Sequence, residues 1–172
     1  MLKWIKENKA LSVILLIAAG FCAYYLFCAI RWILFPNSID YGEGFVMSYV
    51  KLWANGAWKW DINIPPYLTM VYGVGYPMML APFVKIFGSD LWVGRTFTFI
   101  TGLIACWLIY LVVKQLTGKK SYGLLAALLP MTQFIFRDWS VMARVDMTTV
   151  LIAFIKDKIK AEWIIRMNLY TF

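Results

Sequence analysis

From Ala10 to Ile30 the chain runs 21 residues without a charge, between Lys9 and Arg31. Wound as a helix this stretch is ~31 Å long, enough to cross a bilayer core of ~30 Å. Lys3, Lys6 and Lys9 precede it as they would in a secretory signal. However, no small-x-small site closes the run, and Phe21 before Cys22 suits lipoprotein cleavage poorly. The pattern therefore predicts a retained first transmembrane helix over about 10–35. Arg31, Trp32 and Phe35 form its interfacial collar, and Pro36 ends it.

Residues 36–90 contain no comparable run and are predicted as an outer loop. From Gly44 to Asn55, Phe45, Tyr49, Leu52 and Trp53 alternate at helical spacing with Ser48, Lys51 and Asn55. That periodicity predicts an amphipathic helix lying in the membrane surface. Residues 57–66, with Trp58, Trp60 and two prolines, break it in headgroup-type composition. Tyr72-Gly73-Val74-Gly75-Tyr76-Pro77 then opens a stretch too short to span, read as a surface or re-entrant helix. After Gly88-Ser89-Asp90, Thr96–Val113 gives 18 uncharged residues, ~27 Å, and predicts a second span over about 91–113. Two shorter apolar segments, 121–136 with Pro130 as a kink and 139–155, predict a further hairpin. The expected fold class is thus an all-α membrane protein. It has about four transmembrane helices, with amphipathic interfacial helices in the first outer loop. Residues 1–172 read as a single membrane domain, and the abruptly basic tail suggests an incomplete N-terminal portion.

Composition supports this reading. The chain is 62% hydrophobic and 18% aromatic, against ~45–50% apolar in an average soluble domain. Its net charge of +8 would suit nucleic acid, but the cations flank apolar runs, which points to a membrane surface instead. Ten of the 17 Lys and Arg lie in 1–9, 114–120 and 156–172, so the N-terminus is expected to be cytoplasmic. Asp40, Glu43, Asp61, Asp90, Asp138 and Asp146 then fall on the outer side. There is no histidine, which removes imidazole acid–base chemistry. Cys22, Cys28 and Cys106 all sit in apolar runs and read as buried apolar residues. Gly73 and Gly75 do not follow a strand, so no nucleotide fingerprint is supported. Four helices without an internal repeat leave little room for alternating access, which disfavours a transporter.

The chemistry is concentrated in Ser38-Ile39-Asp40-Tyr41-Gly42-Glu43-Gly44. Asp40 and Glu43 stand three apart at the mouth of the first helix, with glycines that allow a tight turn. Asp146, beside Arg144, approaches from the same side. Carboxylates there can take a proton from a hydroxyl, and a cation can stabilise a departing phosphate. The same residues also fit a bland alternative, in which Asp40 caps a helix, Glu43 occupies its first turn, and Arg144 pairs with Asp146 or Asp138. Oxygens of Asp40, Glu43 and Asp146 are compatible with Mg²⁺ or Mn²⁺, although nothing requires a metal. Lys85 and Arg95 suit a lipid phosphate or ordinary snorkelling, and Tyr76 suits a substrate groove or an interfacial anchor.

These pieces, in this order, resemble the N-terminal part of the GT-C membrane glycosyltransferases, the group of protein O-mannosyltransferases and the lipid A aminoarabinose transferase. The residues carrying the likeness are Asp40-Tyr41-Gly42-Glu43-Gly44, the run from Gly75 to Gly88, Leu91-Trp92-Val93-Gly94-Arg95 and Ala143-Arg144-Val145-Asp146. The resemblance implies inverting transfer of a sugar from a polyprenyl-phosphate donor to an acceptor hydroxyl on the outer face. It places the base at Asp40, with Glu43 assisting or positioning the acceptor and Asp146 near the same cavity; Arg144, Tyr76, Lys85 and Arg95 are the further candidates for substrate contact that the residues themselves offer. Protein O-mannosyltransferases carry adjacent Asp-Glu, whereas these acids are three apart, so which of the two is the base stays open. The implied partners are a lipid-linked sugar donor and membrane lipids. The competing reading is a non-catalytic or truncated membrane protein that docks other helices.

Overall fold

A computed structural model describes residues 9–56 and 74–156. The expected break at Trp58 and Trp60, Asp61, Tyr72 and the basic tail from 157 onward lie outside the described residues. Within them the regular structure is all helix, with no strand.

The first span is α1 (Lys9–Ile33). It is followed by α2 (Tyr41–Ala54) and α3 (Gly75–Phe87), then the second long helix, α4 (Leu91–Thr117). Helix α2 begins three residues before the expected amphipathic run because Asp40 caps it. The Asp40 side chain accepts from the Gly42 amide at 3.2 Å. Gly88 (φ 91°) and Gly118 (φ 68°) end α3 and α4 in backbone conformations that favour glycine.

Among the described residues, two helices are long and apolar enough to cross a membrane, α1 and α4. Only 22% and 28% of their most apolar stretches are enclosed by protein, so their apolar faces look outward. Val13, Leu16, Phe21 and Phe27 of α1 are all exposed, the arrangement lipid requires and water penalises.

The expected hairpin over 121–136 and 139–155 takes a different form. Its first arm is α5 (Lys120–Thr132), 13 residues and ~20 Å long, short of a span. Pro130 supplies no amide to the carbonyl a turn behind it. The helix stops at Gln133 and restarts as α6 (Phe134–Trp139). Residues 140–145 form a loop in which Ser140, Val141 and Ala143 are enclosed, and a last helix, α7, starts at 146 and runs to 156.

Helix α4 organises the packing, lying against α5 over its length and touching α1, α2 and α3. One apolar core joins α2, α3 and the start of α4 through Val46, Val50, Tyr76, Leu80 and Val93, with Ala143 of the loop set into it. The small residues Gly94, Thr98, Gly102 and Ala105 form one face of α4 and let that loop approach closely. A Cβ on Gly94 would stand 2.8 Å from Ala143 Cβ, and one on Gly102 would stand 3.3 Å from Ser140 Cβ. Tyr25 of α1 meets the same loop through a 2.8 Å hydrogen bond with Ser140.

Candidate functional site

Helix α1 ends with carbonyls that no further turn can satisfy, since Pro36 blocks continuation. Arg95, in the first turn of α4, meets them. One terminal nitrogen, Nη1, donates to the Trp32 carbonyl at 2.8 Å and the Phe35 carbonyl at 2.6 Å. The other, Nη2, donates to the Asn37 carbonyl at 2.8 Å and to Glu43 Oε2 at 2.7 Å. Nε completes the fork on Glu43 Oε1 at 2.9 Å. A guanidinium has five N–H donors, so all of them are used.

Glu43 is equally saturated. Besides the two Arg95 bonds, Oε2 accepts from the Ile39 amide at 2.8 Å and Oε1 from the Ala143 amide at 2.9 Å. Both side chains are fully enclosed. Burial pushes the Glu43 carboxyl up, but the Arg95 fork and the two amides outweigh it, and the group is held below its ordinary range. Glu43 therefore fastens the end of α1, the start of α4 and the 140–145 loop together.

Asp40 lies closer to the surface. Its Oδ2 accepts from Arg144 at 2.8 Å, and Arg144 Nε donates to Asp146 Oδ2 at 3.1 Å. The three side chains keep 18% (Asp40), 15% (Arg144) and 27% (Asp146) exposure, so all three remain open to the surface. The Arg144 guanidinium also lies over Trp139, 4.5 Å from the ring centre. Asp138, the alternative partner considered for Arg144, pairs with Arg137 instead, at 2.9 Å.

Beside this cluster, a cleft of about 660 Å³ runs along the end of α1, lined by Phe27, Arg31, Trp32, Phe35, Ser38 and Ile39. The last two immediately precede Asp40.

The structure thus brings Asp40, Arg144 and Asp146 into one accessible group and sets Glu43 with Arg95 directly beneath it. Tyr76 is enclosed between α3 and α4, bonded to Thr98 at 3.0 Å, and burial raises its phenol above the ordinary range. Lys85 is exposed in the last turn of α3, where a cation suits the helix end, and belongs to neither ion-pair group. The aromatic cleft escaped the sequence reading. Its signal was available in Phe27 and Arg31, one turn apart on α1, with Phe35 four residues further on, just beyond the helix end. Among the described residues no three or more Cys, Asp or Glu side chains group as a metal site, and Arg144 supplies the positive charge between Asp40 and Asp146.

Residues 71–156 match the family model described as dolichyl-phosphate-mannose-protein mannosyltransferase. No curated protein and no solved structure matches the chain. The matched segment holds Arg95, Arg144 and Asp146. Asp40 and Glu43 precede it, yet each is ion-paired to an arginine within it.

Proposed function

The chain belongs to the dolichyl-phosphate-mannose-protein mannosyltransferase family, and from that membership we propose that it transfers a sugar from a polyprenyl-phosphate donor to an acceptor hydroxyl on the outer face of the membrane, with inversion. Asp40 is the base in this reading. The acceptor oxygen loses its proton to the Asp40 carboxylate as it bonds to the anomeric carbon. The bond from that carbon to the phosphate oxygen breaks, and the electron pair leaves on the polyprenyl phosphate. Arg144 stabilises the growing negative charge, and Asp146 orients Arg144.

The observation that separates the two acids is exposure. Asp40 retains 18% of its side-chain surface, whereas Glu43 retains none and has every acceptor position filled. Glu43, Arg95 and Tyr76 are accordingly given positioning roles. The aromatic cleft beside Ser38 and Ile39 is where this reading seats the isoprenoid end of the donor, with Arg31 near its phosphate.

The test is sugar transfer from a radiolabelled polyprenyl-phosphate mannose in membranes carrying the chain. Asp40→Asn is expected to lose on the order of 10²–10⁴-fold in rate, the range of one general base, with insertion unchanged. Undiminished transfer by that variant removes Asp40 as the base. Full insertion of the unaltered chain with no turnover would favour the helix-docking alternative, for which the exposed apolar faces of α1 and α4 supply surface.

A further inference from the structure

A second cavity lies at the opposite end of α4 from Arg95. It is an apolar slot of about 570 Å³ between α1, α4 and α5, walled by Leu15, Leu103, Trp107, Tyr110, Leu124 and Leu128. That volume falls within the ~300–1,000 Å³ typical of small-molecule sites. Lys120 and Ser121 stand at its lip.

The lip is cationic. Lys114, Lys119 and Lys120 cluster at the turn between α4 and α5, and no Asp or Glu occurs between Asp90 and Asp138. Aromatic faces hold two of these ammonium groups, Lys114 at 5.6 Å from the Tyr110 ring centre and Lys119 at 5.1 Å from that of Tyr122. An apolar slot ending in clustered lysines complements a molecule with a hydrocarbon chain and an anionic head. In a bilayer the most available molecule of that kind is an acidic phospholipid.

We propose that this slot is a binding site for an anionic glycerophospholipid of the surrounding bilayer, with one acyl chain between α1, α4 and α5 and the phosphate at Lys119 and Lys120. Lysines at a membrane boundary attract acidic lipids without any slot. Here slot and charges act on the same molecule.

The test is electron paramagnetic resonance of the full chain in phosphatidylcholine vesicles doped with chain-labelled phosphatidylglycerol or, separately, chain-labelled phosphatidylcholine. The expected result is a motionally restricted population that prefers phosphatidylglycerol and weakens in high salt. Lys119→Gln with Lys120→Gln should lower the preference at least about fivefold. Leu124→Trp, at an exposed position that fills the slot and leaves the charges alone, should remove most of the restricted phosphatidylglycerol. Equal restriction of both lipids by the unaltered chain overturns the proposal. So does a preference that survives Leu124→Trp, which would mean surface attraction only. Displacement of the labelled lipid by undecaprenyl phosphate far more readily than by phosphatidylglycerol also overturns it, since the slot would then serve the isoprenoid carrier.

Discussion

Arg95 spends all five donors on five acceptors, and Glu43 fills all four acceptor positions on its two oxygens. Removing either partner leaves the other enclosed and uncompensated, so Arg95→Ala is expected to cost about 3–5 kcal/mol. A lowered thermal midpoint in detergent is the measurement. Arg95→Lys should not restore it, because a point charge cannot serve a two-oxygen fork and three carbonyls together. Acid acts on the same pair. Since the folded Glu43 carboxyl is held below its ordinary value, its contribution is complete above the unfolded value of ~4.3 and is lost as pH falls through the lower folded value. A melt followed across that acid range should show a drop that is absent in Glu43→Gln, which starts less stable. An equal drop in both would assign the acid sensitivity elsewhere. The local half of this chemistry was legible in the sequence. An aspartate three residues before a glutamate at a helix start signals a cap, and Asp40 is one. The Glu43–Arg95 pair was not legible, because its members lie 52 residues apart and nothing in either neighbourhood names the other.

At the scale of elements, two glycines of close approach decide whether helices meet. A Cβ on Gly123 would lie 2.8 Å from the Tyr110 carbonyl oxygen, a backbone atom that cannot swing aside. Gly123→Ala is therefore expected to push α5 from α4 and cost roughly 1–3 kcal/mol, read as a lower melting midpoint. Gly94→Ala presses on the flexible end of Met47, Sδ at 2.5 Å, and on Ala143 Cβ at 2.8 Å, the residue next to Arg144. It should lower sugar transfer more than stability, and equal losses in both would count against loop placement as the cause. Hydrophobic periodicity located α1, α2, α3 and α4 to within a few residues. It failed at 140–145, where Ser140, Val141 and Ala143 are completely enclosed. Such a buried loop has the composition of a membrane helix. Two of its polar groups find partners at long range, Ser140 on Tyr25 and the Ala143 amide on Glu43.

For the whole molecule, the acidic rim and the lysine cluster occupy opposite ends of α4, a helix of 27 residues and ~40 Å. The bias in lysine and arginine placement predicts that the rim faces outward. In a background lacking the three native cysteines, Ser38→Cys should react with an impermeant maleimide added to intact cells, and Lys119→Cys only after lysis. The reverse pattern would invert the chain and remove an outward-facing transfer site. The family could be recognised from segment order, while the difference in exposure between Asp40 and Glu43 needed three dimensions, because accessibility is not written in the spacing of two acids.

The bond between the Ala143 amide and Glu43 spans 100 positions of chain, and the arginine that neutralises Glu43 is also translated well after it. During membrane insertion, the C-terminal end of α1 thus emerges with the Phe35 and Asn37 carbonyls and the Glu43 anion awaiting Arg95, and must wait beside water until the second long helix arrives to lock it. A ribosome-arrested chain ending before residue 91 should consequently leave Ile39 open to protease, whereas one carrying residues through 145 and a tether long enough to clear the insertion channel should protect it.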